Sequence, residues 1–289
     1  MEKIQSAIAK ARATRSGQEA ADKAAPAASP PPQAASPRST SGPARPRGKT
    51  ADIAAAWEAI PAFTPAPAQM TRANILAFAG GADATPFKVL RTKLLQQMRA
   101  NNWHRLAITS PGAGCGKSTL ALNLAFSLGR QPELRTIVAE MDLRRPSLAR
   151  MLGLRGRHDF ARVLQGGAEA RDHMARHGAN LAFATNHGAF RNPAELLQSP
   201  SVPEALAAVE ATYAPDIFLF DMPPMLAGDE TMAFIGQVDC VLLVAAAEST
   251  TIKEVDDCER DLAGQTNVLG VVLNKCRYMG PDYGYSYYG

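Results

Sequence analysis

Long apolar runs are missing from this sequence, since no stretch approaches the roughly 20 uninterrupted apolar residues that a membrane-spanning helix needs. The first residues also lack the apolar segment of a secretory signal. Cysteine is scarce, and the four thiols show no CxxC pair or other metal-ligand spacing, which predicts reduced, unpaired cysteines. Together these absences predict a cytoplasmic protein.

Tyrosine is also scarce, and its distribution is uneven. Five of the six tyrosines lie in the last segment, YMGPDYGYSYYG, residues 278–289; they are Tyr278, Tyr283, Tyr285, Tyr287 and Tyr288. A terminus broken by Gly and Pro does not build a core, so the phenols are predicted to be accessible. They are either sites of chemistry or an aromatic tail used for contact.

Proline is concentrated near the N-terminus, where residues 24–70 hold ten of the 21 prolines. This composition predicts a disordered linker over residues 19–74. Before it, Ile4 and Ile8 lie at helical spacing in residues 1–18, which predicts a short amphipathic helix that is either a frayed tail or a docking element. Residues 1–70 carry the whole formal net charge of +4. This basic arm is either a solvated tail or a contact for an anionic membrane surface, and no nucleic-acid partner is predicted.

From residue 85 onward, helical patterns alternate with short apolar runs, the pattern of β-α-β units. The predicted strands are 105–110, 135–142, 180–185, 216–221, 240–246 and 269–274. Their near-continuous apolar character indicates a mostly parallel sheet with helices on both faces, an α/β fold. We predict one such domain over residues 75–277.

The most specific motif is TSPGAGCGKST, residues 109–119, in which a glycine-rich loop joins a strand to a helix. In this context backbone N–H groups wrap phosphate oxygens, Lys117 reaches the outer phosphates and Ser118 ligates Mg²⁺. Pro111 replaces the first glycine of the strict P-loop pattern. The predicted nucleotide-binding residues are Gly112, Ala113, Gly114, Cys115, Gly116, Lys117, Ser118 and Thr119.

Acidic residues end two of the predicted strands, where ligands bind in open α/β sheets. Asp221 closes the run DIFLFD, and Glu140 and Asp142 close RTIVAEMD. Either acid alone is typical of a loop or helix cap. Beside a P-loop, Asp142 and Asp221 are instead predicted to act on metal and phosphate, together with Ser118.

The motifs TSPGAGCGKST, AEMDLRRPSL, NPAELLQSPS and FLFDMPPML, with GVVLN and the tyrosine-rich end, resemble those of the bacterial tyrosine kinases of capsule and exopolysaccharide synthesis. The resemblance runs from about residue 85 to 289. It implies a P-loop fold related to the MinD and ParA partitioning ATPases, an autokinase that uses ATP and Mg²⁺, and a tail phosphorylated in trans. It further implies Lys117 as the phosphate-binding lysine, Asp142 as the base, Asp221 as the metal acid and Asn274 as an adenine contact.

Three departures from the family pattern affect these expectations. Glu140 stands where the family usually has Asp, so the metal could shift or catalysis weaken. The ring-forming ExxRxxR motif is reduced to Thr85, Lys88 and Arg91, which leaves the oligomeric state open. No membrane-spanning activator is fused, which implies a separate membrane-spanning co-polymerase as activator, recruitment to the inner membrane face and a cognate tyrosine phosphatase.

Two other functions stay open. One is a MinD/ParA-type ATPase, although Gly112 stands where those proteins carry an extra lysine. The other is a pseudokinase, a nucleotide-dependent interaction module of the same polysaccharide machinery with Glu140 as its lesion.

Overall fold

The computed structural model describes residues 50–277, which contain one seven-stranded sheet. Its strands are β1 Arg105–Thr109, β2 Thr136–Glu140, β3 Met174–His177, β4 Leu181–Ala184, β5 Ile217–Asp221, β6 Cys240–Ala246 and β7 Asn267–Asn274. The described helices are α1 Thr50–Glu58, α2 Pro67–Arg72, α3 Leu76–Ala79, α4 Thr85–Ala100, α5 Lys117–Leu128, α6 Leu148–Leu152, α7 Phe160–Leu164, α8 Pro193–Gln198, α9 Ser201–Tyr213, α10 Glu230–Phe234 and α11 Ile252–Ala263. Short 3-10 turns occupy Ala170–His173, Met225–Ala227 and Ile235–Gln237.

The strand order is β3-β4-β2-β5-β1-β6-β7, and all neighbours are parallel except β3 and β4. Strands β2, β5 and β1 therefore lie side by side, with their carboxyl ends at one edge of the sheet. The chain leaves β1 to build one half and returns to build the other, which makes this edge a switch point where ligands bind. All six predicted strands are present, and β3 is the strand that the sequence did not indicate.

Two apolar clusters cover the two faces of the sheet, which explains why the strands read as continuous apolar runs. Ala107 and Phe220 pack into one cluster, whereas Leu106, Ile108 and Leu219 pack into the other. Helices α9 and α11 contribute to the first face, and α4 and α5 to the second. The predicted α/β class with helices on both faces is confirmed.

The predicted linker of residues 19–74 extends too far, because residues 50–74 are packed against the domain. Trp57 and Ile60 are buried in one cluster, and Met70 is buried in the other. The Trp57 indole donates a hydrogen bond of 2.7 Å to the Tyr213 carbonyl. Composition suggested a linker because prolines separate these few apolar anchors, but burying them offsets the ordering entropy. Residues 1–49, with the predicted N-terminal helix and the rest of the linker, lie outside the described residues.

Residues 50–79, here called the N-terminal strap, cross from one face of the sheet to the other around β3. On the way, the Phe63 amide donates to the Arg176 carbonyl, and the Arg176 amide donates to the Pro61 carbonyl, both at 2.8 Å. The outer edge of β3 is thus paired, which removes a template for aggregation. Further along, the Asn123 side chain of α5 accepts from the Ala77 amide and donates to the Asn74 carbonyl, each at 2.9 Å. The strap therefore supports the helix that follows the glycine-rich loop.

We expect Trp57→Ala to lower the free energy of unfolding by about 3 kcal/mol, because it removes a buried indole and leaves a cavity. Thermal unfolding followed by circular dichroism measures this loss. Glu58→Ala, at an exposed position of the same helix, is the control and should change stability by less than about 0.5 kcal/mol. Equal melting temperatures for wild type and Trp57→Ala would show that the strap does not stabilise the domain.

Candidate functional site

The glycine-rich loop, residues 110–116, joins β1 to α5 with a backbone that requires glycine at two positions. Gly114 and Gly116 have φ values of 79° and 92°, in the left-handed region. A Cβ on Gly116 would also lie 2.3 Å from Nδ2 of Asn274. Ala113 and Gly114 are exposed at the tip of the loop, and Gly112 is half-buried. The loop leads directly into the first turn of α5, where free backbone N–H groups and the helix dipole favour phosphate oxygens.

Asn274 ends β7 and supports this loop from the side. Its Nδ2 donates a hydrogen bond of 2.9 Å to the carbonyl of Cys115. Asn274 therefore lies at the predicted nucleotide site, where its described contact is with the loop. The adenine contact stays a prediction.

Lys117 connects the loop to both predicted acids. Its Nζ lies 2.9 Å from Oδ2 of Asp142 and 3.9 Å from Oδ1 of Asp221. Burial alone would lower the pKa of Lys117, but the charges of Asp221, Asp142 and Glu140 outweigh it and raise the pKa. The ammonium is thus fixed in its charged form at the end of the glycine-rich loop. Ser118 and Thr119 follow in the first turn of α5, both half-buried.

Asp221 is fully buried at the end of β5. Neither of its carboxylate oxygens has a well-formed hydrogen bond to the described residues. Burial raises the pKa of this carboxyl, and the nearby Lys117 ammonium and Ser118 hydroxyl lower it in part. A buried carboxylate with unused oxygens beside a hydroxyl is a donor set that suits a hard divalent cation such as Mg²⁺. The residues present therefore fit the predicted nucleotide and magnesium use.

Asp142 lies in the loop after β2, almost fully buried beside Asp221. Its Oδ1 accepts a hydrogen bond from the Arg145 amide at 3.1 Å, which leaves Oδ2 directed at Lys117. Its own amide, like that of Met141, donates to the carbonyl of Asp221. The two acids are thus held together by backbone as well as by their shared lysine, as their positions at adjacent strand ends predict.

The Glu140 carboxylate, unlike that of Asp142, does not pair with Lys117, because backbone N–H donors occupy its oxygens. It accepts hydrogen bonds from the amides of Ser147, Leu148 and Asn186, the last two at 2.7 and 2.9 Å. Burial raises the pKa of Glu140 to about 7, against the effect of these donors. No sequence signal pointed to these partners, which follow it by 7 to 46 positions.

A second contact that sequence reasoning missed links the loop after β2 to the segment before α10. Nε of Arg144 donates to Oε1 of the buried Glu230 at 2.7 Å, so the loop after β2 is bound to the start of α10. A Cβ on Gly228 would lie 2.1 Å from Glu230 Oε2, so a larger residue there would displace this carboxylate oxygen. Arg144 also lines a cavity of about 310 Å³ with Arg191 and Asp229. The one available signal was the short GDE segment, in which a glycine adjoins two acids.

The reduced ring motif lies on α4. There Arg91 donates to the Ser127 carbonyl at 2.8 Å, a contact within the same chain. All five predicted acceptor tyrosines, Tyr278, Tyr283, Tyr285, Tyr287 and Tyr288, lie outside the described residues. The four described thiols include buried Cys115, Cys240 and Cys258, and no disulfide links any of the four.

Comparison with known proteins shows which family this chain resembles. The family model described as ParA, NUBPL iron-transfer P-loop NTPase, matches residues 101–288. EpsB of Ralstonia nicotianae is 29% identical over 203 residues, which are 69% of this chain but 27% of EpsB. The tyrosine-protein kinase Wzc of Salmonella typhi is 30% identical over 205 residues, 69% of this chain and 28% of Wzc. The chain thus spans about a quarter of the length of these relatives.

This chain covers a larger share of a shorter relative and of two solved kinase domains. The tyrosine-protein kinase YwqD of Bacillus subtilis is 28% identical over 70% of this chain and 85% of its own length. The kinase domain of the Escherichia coli tyrosine kinase Etk matches with a TM-score of 0.61, 26% identity, and coverage of 71% of this chain and 81% of that one. The VpsO kinase domain matches with a TM-score of 0.59 and 29% identity over 67% of this chain and 96% of its own. The chain therefore belongs to the ParA family of P-loop NTPases and, within it, to the bacterial tyrosine kinases.

Proposed function

We propose that this chain is an ATP-dependent protein-tyrosine autokinase that regulates exopolysaccharide or capsule polymerisation and export. The observation that carries the proposal is the placement of Lys117, directly after the glycine-rich loop, between Asp142 and Asp221. Phosphoryl transfer needs mainly positioning and charge stabilisation, which a lysine, a metal-binding acid and a second acid supply. The similarity to the kinase domains of Etk and VpsO supports the same conclusion.

The contacts of Lys117 support different roles for the two acids, Asp142 as the base and Asp221 as the metal ligand. In the free chain Asp142 is paired with Lys117 at 2.9 Å. Phosphate oxygens in the loop would attract the ammonium, which frees Oδ2 of Asp142 to accept the proton of an incoming phenol of pKa near 10. The phenolate oxygen then takes the γ-phosphoryl group and ADP leaves. Ser118 and Asp221 would hold Mg²⁺, which neutralises charge on the phosphates.

The acceptors in this proposal are the tail tyrosines, Tyr278, Tyr283, Tyr285, Tyr287 and Tyr288. What supports the proposal is where the tail begins, four residues after Asn274, whose side chain contacts the phosphate loop. We propose transfer in trans, to the tail of a second copy, so self-association is part of the function. Each phosphate would add about −1.5 to −2 charges, and repulsion between tails would loosen the assembly.

The finer setting is also proposed. Among residues 50–277 no helix is long and apolar enough to cross a bilayer. We propose that a membrane-spanning polysaccharide co-polymerase activates the kinase and recruits it to the inner face of the plasma membrane, and that a cognate tyrosine phosphatase reverses the modification. This chain matches about a quarter of Wzc and of EpsB, so each of these relatives contains further polypeptide that this chain does not match.

Intact-mass spectrometry after incubation with Mg·ATP tests the acceptor assignment. We expect wild type to gain several increments of about 80 Da, one for each phosphate, that map to residues 278–289. A chain that ends before Tyr283 should gain far fewer phosphates. The control substitution Lys93→Met, at an exposed position, should leave the phosphate gain unchanged. If wild type binds ATP but gains no phosphate even with its membrane partner, a pseudokinase is the better reading. Phosphate release without protein modification would instead support a MinD/ParA-type ATPase.

A further inference from the structure

Glu140 is a buried acid that has no role in the proposed mechanism. It is the last residue of β2 and has no exposed surface. Oε1 accepts from the amides of Ser147 and Leu148, and Oε2 accepts from the amide of Asn186. A carboxylate that accepts several backbone N–H bonds is strongly held in one position.

The three donors belong to two different segments. Leu148 is the first residue of α6 and Ser147 is its N-cap, so neither amide has a partner within the helix. Asn186 follows β4, and its side chain returns the contact, since Nδ2 donates to the Glu140 carbonyl at 3.1 Å. Oδ1 of Asn186 also accepts from the Ala161 amide at 2.9 Å, at the start of α7. Glu140 therefore joins β2, α6 and the segment after β4.

Residues 141–147 leave β2 and return to its last side chain, which makes them a closed loop. At its start, the amides of Met141 and Asp142 donate to the Asp221 carbonyl at 2.9 and 3.1 Å. At its end, the amide of Ser147 donates to Glu140. Between these two attachments lies Arg144, which is bound to Glu230.

We infer that Glu140 is a positioning residue that closes the loop carrying Asp142 and so holds the Asp142 carboxylate at Lys117. The inference rests on the proposed kinase function only for its effect on rate. Glu140 is thus not a displaced metal ligand or a lesion. An aspartate, the usual residue in the resembling family, is one methylene shorter and would not reach all three amides from the end of β2.

Glu140→Asp separates the two interpretations because they predict opposite results. If the position holds metal, restoring the family residue raises transfer. If Glu140 closes the loop, we expect kcat for phosphate transfer to fall about 100-fold, as small misplacements of a reacting group do. KM for ATP and the Mg²⁺ concentration at half-maximal rate should stay within about threefold, since the glycine loop and Asp221 are untouched. Glu133→Asp, at an exposed position, is the matched control.

Hydrogen exchange gives a readout that does not depend on activity. The amides of Ser147, Leu148 and Asn186 should exchange at least about tenfold faster in Glu140→Asp, while those of α5 stay protected. Glu140→Gln keeps the length and can retain the Oε1 pair, so it should lie between wild type and Glu140→Asp in both exchange and kcat. It also keeps the test valid if the aspartate variant does not fold.

Unchanged exchange, or a higher kcat or lower Mg²⁺ requirement in Glu140→Asp, overturns the inference. If no protein, wild type included, transfers phosphate but the three amides lose protection in the variant, the proposed kinase function fails. The loop-closing role of Glu140 then still stands.

Discussion

Replacing Lys117 with Met should reduce phosphate gain by at least about 1,000-fold, to the limit of detection by intact-mass spectrometry. The ammonium lies 2.9 Å from Asp142 and 3.9 Å from Asp221, directly after the glycine-rich loop. Without it, charge that develops on the transferring group loses the stabilisation that this ammonium gives. The two acids also lose the cation that they share.

That second loss affects the fold as well as the reaction. Removing one partner of a buried ion pair leaves uncompensated charge, so Lys117→Met should cost about 2–4 kcal/mol of stability. Lys117→Arg separates the two effects, because it keeps the positive charge between the acids but not the compact ammonium. We expect Lys117→Arg to melt near wild type and still to transfer poorly. If Lys117→Met is folded and gains phosphate at the wild-type rate, Lys117 has no role in transfer.

The parts of the site that belong to recognisable local motifs could be predicted from the sequence. The loop from Gly112 to Thr119 is a contiguous motif, and Asp142 and Asp221 end apolar runs, so a parallel sheet brings them to one edge. The pairing of β2 with β5 and of β5 with β1 then places both acids beside Lys117. Local pattern and elementary sheet geometry were sufficient for this much.

The missed parts depend on contacts between distant segments, for which a local pattern carries no information. The sequence suggests a variant metal acid at Glu140, because its backbone partners cannot be recognised from a local pattern. One of them, Asn186, follows Glu140 by 46 residues and is brought to it by packing. Trp57 stands among prolines and alanines, and that local pattern does not reveal its contact with the distant Tyr213 carbonyl. Strand β3 is four residues long with two polar members, too short for alternation to be recognised.

Asp221→Asn should abolish phosphate transfer and, in the absence of nucleotide, raise the melting temperature. The carboxylate is fully buried, its oxygens lack well-formed hydrogen bonds, and its nearest cation is 3.9 Å away and closer to Asp142. Such a charge costs folding free energy, and a neutral amide of the same shape removes that cost. A gain of about 1 kcal/mol corresponds to roughly 2–4 °C for a domain of this size.

Adding Mg·ATP should reverse the order of stability. A ligand that binds only the folded state stabilises it in proportion to the logarithm of its concentration over Kd. Wild type should therefore gain melting temperature with Mg·ATP, while Asp221→Asn gains much less, because it has lost the acid that holds the metal. Asp216→Asn, which removes the charge of an acid just before β5, is the matched control and should respond to Mg·ATP like wild type. If Asp221→Asn melts lower than wild type without nucleotide, or gains as much with it, Asp221 is a structural acid. The opposite pattern means that the buried Asp221 carboxylate, which the chemistry needs, lowers the free energy of unfolding until Mg·ATP binds.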